Sequence, residues 1–193
     1  AVVRSPEPSA AHAQLLIPTI EELLHGAVPD EIVVVTGPGS YAGLRVGIAT
    51  AEALGMGWKI PVRGVSTLEA VATAALQRGA SLPLTAIHPA GRREFAVQLF
   101  AEERSREPVR PVASEHLATL PHPLAGEGAA ALGGIEVLPA ERVVAALLRA
   151  AQGLAGSTDA VYLREPHVTL TRARWWRERQ RSRGTGTTEE DDR

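Results

Sequence analysis

The 193-residue sequence contains no cysteine, which excludes disulfides, thiolate zinc sites, iron–sulfur clusters and cysteine nucleophiles. Lys59 is its only lysine and no Gly-Lys-Ser/Thr step occurs, so no Walker-type phosphate loop exists. No apolar run approaches the roughly 20 residues that a membrane-spanning helix needs. The six histidines (His12, His25, His88, His116, His122 and His167) include no pair at the i, i+4 spacing of a helical metal site. Four residues after His12 stands Leu16. The serines form no Gly-x-Ser-x-Gly elbow, and acid pairs such as Glu21-Glu22 and Glu102-Glu103 read as solvated faces. No short internal repeat is visible. No active site assembles from these residues.

What is present has the balance of a globular protein, with 45% hydrophobic and 22% charged residues. That is enough apolar surface to offset the chain entropy of folding. The formal charge of −2 is unevenly spread, because residues 172–183 hold six Arg against one Glu. Glu189-Glu190-Asp191-Asp192 follows that basic stretch, and residues 1–171 are mildly acidic. The body therefore lacks the charge of a general nucleic-acid binder, and the tail is the only basic patch.

Helices and strands alternate along the chain. Residues 12–24 carry Leu15, Leu16, Ile20, Leu23 and Leu24 at helical spacing, with Pro18 predicting a kink or a late start. Ile32–Val35 is a continuous β-branched run, which predicts a strand buried on both faces. Gly37-Pro38-Gly39-Ser40 breaks it, and Ser40 is a natural N-cap for a helix to about Gly57. A strand near 60–65 precedes Ser66-Thr67-Leu68-Glu69, a capping box that opens a helix through Gln77. Strands are predicted at 84–87 and 94–100, a connection at Pro108 and Pro111, and a short helix from Ser114. Residues 133–138 read as a strand, and 140–152 as a helix with Val143, Val144, Leu147 and Leu148 on one face. Two α/β halves divided near residues 80–84 fit this pattern.

The strand–glycine loop–helix order places Gly37, Gly39, Ser40 and Gly43 where backbone N–H groups can meet a phosphate. The same residues also make a tight turn into a capped helix, and without further ligands the turn carries more weight. Gly43, Gly47, Ala51 and Gly55 recur every four residues in the following helix. Its four glycines, with Gly57, cost about 3–4 kcal/mol relative to alanine if all are interior. Close approach of either the protein's own sheet or a helix of another subunit would offset that cost. The tail sets Trp175-Trp176 among Arg172, Arg174, Arg177, Arg179, Arg181 and Arg183. This mix can stack on RNA bases, but the neighbouring acids favour a solvated end.

The segment Val34-Val35-Thr36-Gly37-Pro38-Gly39-Ser40-Tyr41-Ala42-Gly43-Leu44-Arg45-Val46-Gly47-Ile48-Ala49 resembles the signature of the TsaB (YeaZ) family. Ile60 to Ala70 is similar to the family's next segment, and His12 with Leu15-Leu16-Ile17-Pro18 to its first helix. Ala86-Ile87-His88 to Glu94-Phe95, and Val161-Tyr162-Leu163-Arg164, resemble weaker landmarks. The likeness runs from about residue 8 to 166. His88 replaces the family's common Asp, Tyr41 and Ala42 replace its usual Phe and Thr, and the tail has no counterpart. Nothing here matches the family's opening strand with Ile-Asp-Thr, so the resemblance implies a first hairpin missing from the given chain.

The resemblance implies a two-lobed α/β protein of actin-like (ASKHA, ribonuclease-H-like) architecture. Its expected parts are an N-terminal lobe over 1–82, a C-terminal lobe over 83–166, and a partly disordered tail over 167–193. It also implies a cytoplasmic protein without catalysis of its own. Such a protein pairs with its paralogue TsaD, which transfers threonylcarbamoyl to an adenosine next to the tRNA anticodon. The ATPase TsaE joins that complex, tRNA is met indirectly, and a pair with a second copy of this chain is a further partner. No cofactor is implied for this chain; ATP and metal belong to the partners. The family pairs through its first two helices. This points to Leu15, Leu16, Thr19 and Leu23 on one helix, and Tyr41, Leu44, Arg45, Ile48 and Glu52 on the next. Two other readings are a metal-dependent glycopeptidase or ATP-handling enzyme of the same superfamily, and an RNA-binding module using the tail.

Overall fold

A computed structural model describes residues 12–163 apart from 92, 102–106 and 121–122. The Arg/Trp stretch and the acidic end lie outside the described residues. In order, the elements are α1 (His12–Leu24), β1 (Ile32–Val35), α2 (Tyr41–Trp58), β2 (Val62–Val65), α3 (Thr67–Gln77), β3 (Leu84–Gly91) and β4 (Glu94–Phe100). They continue as β5 (Arg110–Ala113), β6 (Leu124–Gly126), β7 (Ile135–Glu136) and α4 (Pro139–Ala151), with 3₁₀ turns at Ser114–Thr119 and Ala129–Leu132.

Two sheets organise the described residues. β1 and β2 pair in parallel, joined through α2, from Ile32 opposite Val62 to Val35 opposite Val65. The second sheet has the order β5-β4-β3-β6-β7, antiparallel from β5 to β3 and parallel from β3 to β7. The expected division after residue 82 falls between α3 and β3. Chain order and packing part company later, however, because α4 returns to lie on β1, β2 and α3. Gly64 and Gly156 form an antiparallel bridge there, so the 156–163 segment also comes back to the first sheet.

α3 sits in the middle. Thr67 through Ala75 is buried except Glu69, which an ordinary amphipathic helix would not tolerate. Small residues (Ala70, Ala72, Ala74, Ala75) keep it thin enough to fit between the five-stranded sheet and α4. Leu68 and Val71 there join Leu84, Ala86, Ala96 and Phe100 in the main core. Its start is fixed as the sequence predicts: Ser66 Oγ accepts from the Leu68 N–H at 3.3 Å, and Glu69 accepts from the Ser66 N–H at 3.4 Å.

Several expectations need correction. α1 runs unbroken through Pro18, with neither a late start nor a boundary there. β1 is only half-buried along its length rather than covered on both faces. The connection marked by Pro108 and Pro111 contains strand β5; it is an edge strand, where a missing N–H is tolerated. On α4, Val143, Val144 and Leu147 are about half exposed, while Ala145, Ala146, Arg149 and Ala150 are buried. Small residues and one arginine make that contact, so the apolar stripe marks the outer face.

Candidate partner-binding face

The glycine loop is closed by the chain itself. Thr36, Gly37 and Pro38 are buried, and Gly37 has φ 101°, a conformation that favours glycine. A Cβ there would lie 2.8 Å from both Leu44 and the Val161 carbonyl oxygen. The Gly37 carbonyl accepts from the Thr67 N–H at 2.8 Å, and the Thr36 carbonyl from the Val161 N–H at 2.8 Å. Ser40 caps α2 through the Gly43 N–H at 3.4 Å. These bonds fit the tight-turn reading of Gly37, Gly39, Ser40 and Gly43. Beside the loop lies a cleft of about 270 Å³ lined by Thr36, Ser66, Glu69, Gln98 and Asp159. Neither arginine nor lysine lines it, so no cation is in place there for a polyphosphate ligand.

α2 divides its faces differently from the simple four-residue reading. Each step of four residues drifts about 40° around a helix of 3.6 residues per turn, so the stripe from Gly43 to Gly55 winds across about 120°. Only its far end meets the sheet: Ala51 is buried, and a Cβ on Gly55 would lie 2.3 Å from Val62 Cγ2. A Cβ on Gly47 would meet nothing within 4 Å. The same drift carries Leu44 and Ile48, each 9% exposed, into the chain's own interior. These two were expected on the contact face and are core residues instead.

The remaining expected face residues stay accessible. Tyr41, Arg45 and Glu52 are exposed on α2; Leu15 is 46% exposed on α1, with Leu16, Thr19 and Leu23 half-buried beside it. Arg45 Nη1 donates to the Tyr41 hydroxyl at 2.8 Å, and its guanidinium lies 5.3 Å from that ring's centroid. The returning 156–163 segment adds two contacts that sequence reasoning missed. Tyr162 packs on Tyr41 with centroids 5.2 Å apart, and Thr158 Oγ1 donates to Glu52 at 2.6 Å. Both contacts are more than 100 residues apart in sequence, beyond any local pattern. Met56, 82% exposed, continues the same face; its helical spacing from Glu52 was the available signal.

His88 lies away from this face, on β3. Arg142 Nη1 donates to His88 Nδ1 at 2.9 Å, which leaves the imidazole proton on Nε2. Burial, aided by the Arg142 charge, lowers the His88 pKa to about 4. Burial also lowers Arg142 from its ordinary value, with Glu127, 3.9 Å away, acting in the opposite sense. Among the described residues, no three His, Asp or Glu side chains gather as metal ligands. No described helix is long and apolar enough to cross a membrane.

Residues 5–122 match the family described as TsaD: tRNA N6-adenosine threonylcarbamoyltransferase. A curated relative is the tRNA threonylcarbamoyladenosine biosynthesis protein TsaB of Escherichia coli (strain K12). It is 37% identical over 82 residues, or 39% of this chain and 36% of that protein. The protein of the same name in Bacillus subtilis (strain 168) is 38% identical over 66 residues, or 32% of this chain and 29% of that one. The chain belongs to the TsaD-type family, in its TsaB (YeaZ) group. The aligned stretches span about a third of the length of these curated relatives. Among solved structures, YeaZ from Pseudomonas aeruginosa superposes with a TM-score of 0.59 at 23% identity, covering 81% of this chain and 88% of that one. The architecture is the actin-like, ASKHA-type α/β fold of the TsaB group.

Proposed function

We propose that this chain serves the formation of threonylcarbamoyl-adenosine in tRNA, as a cytoplasmic partner of a TsaD-type transferase that adds no catalytic group of its own. The observation that carries this reading is the exposure of Leu15 on α1 and of Tyr41 and Arg45 on α2, two helices that pack against each other. Exposed tyrosine and arginine beside apolar side chains match the composition of interface cores. The relatives' names bring in the pathway, and Leu16 four residues after His12 supports a non-catalytic role. The internally bonded glycine loop supports a chain that leaves the nucleotide to its partners. A TsaE-type ATPase and tRNA then enter through the complex rather than through this chain.

The test is co-purification of this chain with a TsaD protein from the same source, followed by threonylcarbamoylation of tRNA with and without it. Stable capture and activity that depends on this chain are expected. Full activity of the transferase alone would overturn the proposal.

A further inference from the structure

The outer side of α4 and its junction with α3 form an open apolar groove. Val143, Val144 and Leu147 are about half exposed on a helix whose opposite side buries Ala145, Ala146 and Arg149. Two depressions lie along the junction and share Gln77. The first, about 230 Å³, has Leu76, Leu82, Phe100, Leu148 and Leu154 among its walls. Its one charged lining residue, Arg149, stands 3.4 Å from Glu69 and donates to Thr73, so its charge is compensated and calls for no acidic ligand. The second, about 260 Å³, is lined by Ala74, Ala140 and Val144, with Arg78 and Glu141 paired beside them. Each is smaller than the about 300–1,000 Å³ of an ordinary small-molecule site, and each suits a single apolar ring system.

We propose that the Trp175-Trp176 segment of this same chain lies along the groove, with one indole in each depression. Reach, size and charge select this occupant. Leu163, the last described residue before the tail, packs against the same core cluster as Leu76 and Leu82, which line the first depression. Trp175 follows twelve residues later, a span of up to about 40 Å, twice the about 20 Å length of α4. Two adjacent indoles then meet two adjacent depressions. A tryptophan buries about 150–250 Å², and the side-chain carbonyl of Gln77 or Gln152 can accept its N–H. The charge agrees, because residues 172–183 hold six Arg and one Glu while residues 1–171 are acidic. A segment of another protein would have to displace one held at high local concentration by its own chain.

The experiment uses the full chain carrying Trp58→Phe, in which Trp175 and Trp176 are the remaining tryptophans. Acrylamide quenching of their fluorescence is expected to be several-fold weaker than in the urea-unfolded chain, whatever the protein concentration. Gln77→Arg and Val144→Arg, both at exposed positions, set a charge in the groove of the same sign as the tail. Each should raise quenching nearly to the unfolded value, with circular dichroism establishing that the variant is folded. Replacing Trp175 and Trp176 together by Ala should lower the melting temperature by about 4 °C or more. Quenching equal to that of the unfolded chain, or an unchanged melting temperature in the double tryptophan variant, overturns the inference. So does protection that survives both arginine variants, which places the indoles elsewhere. Protection that grows with protein concentration assigns them to a second copy and overturns it too.

Discussion

Arg149 of α4 reaches to within 3.4 Å of Glu69 in the first turn of α3, and both side chains are largely buried. Arg149 also donates to Thr73 Oγ1 at 3.1 Å, so one guanidinium ties two turns of α3 to the helix that returns over the first sheet. Glu69 meanwhile completes the capping box with Ser66. Removing one member of a buried pair leaves the other charge uncompensated, which typically costs about 3–5 kcal/mol. Arg149→Met should lower stability by about that amount in urea unfolding at neutral pH. The double variant with Glu69→Gln should recover part of the loss. Equal losses in the single and double variants would show that the pair is not coupled.

His88 gives the fold a pH dependence of definite sign. Its folded-state pKa of about 4 lies below the ordinary 6.5, so between these values the unfolded chain holds the extra proton. The His88 contribution to stability is therefore flat above about pH 6.5 and falls as pH drops towards 4, by about 2 kcal/mol after allowing for partial exposure. Comparison with a His88 variant isolates the histidine from its charged surroundings, which include Arg142 and, 3.9 Å from that arginine, Glu127. His88→Gln keeps an acceptor for Arg142 and should remove most of the slope. Parallel pH profiles for the two proteins would show that another group is responsible.

The glycines of α2 show how far the sequence could be read. The spans of β1, α2 and α3 and the capping box were legible because each rests on neighbours within a few residues. The fate of Gly47 and Gly55 was not, because both obey the same spacing and only the position of β2 separates them. Gly55→Ala places a Cβ 2.3 Å from a β-branched methyl of Val62 and 3.2 Å from the Ile60 carbonyl oxygen. The clash should outweigh the gain in helix propensity and cost about 1–3 kcal/mol. Gly47→Ala meets nothing within 4 Å and should stabilise by about 0.5–1 kcal/mol. Thermal unfolding of the two variants checks both signs; the same direction for both would refute the close approach of α2 to β2.

The contact face was legible in part for a related reason. Sequence spacing placed Tyr41, Arg45 and Glu52 outward, and all three are exposed, on the flank of the arc that buries Ala51 and Gly55. It could not show that Tyr162 and Thr158 return to meet them, because β2, α3, the whole five-stranded sheet and α4 lie between them and α2 along the chain. Replacing Tyr41 or Tyr162 by Ala, singly and together, measures that return. A coupling of about 0.5–1.5 kcal/mol in chemical denaturation is expected for the ring pair. Additive losses would mean that the 156–163 segment is held by its backbone bonds and the Thr158–Glu52 bond rather than by the ring pair.

Burial separates two substitutions that a spacing argument would treat alike. Ile48, at 9% exposure, is on the inner side of α2, so Ile48→Asp would place a carboxylate in the interior and cost several kcal/mol. Loss of partner binding by that variant would report unfolding, with a fall in melting temperature and in helical signal. Leu15, at 46% exposure on α1, is already in contact with water. Leu15→Glu should leave the melting temperature within about 2 °C of the unaltered chain, because surface changes of this kind are worth about 0.5 kcal/mol or less. In a TsaD complex the same carboxylate would be buried without a partner, and capture of TsaD should weaken about tenfold or more. Retained capture by folded Leu15→Glu would place the contact elsewhere than the outer face of α1.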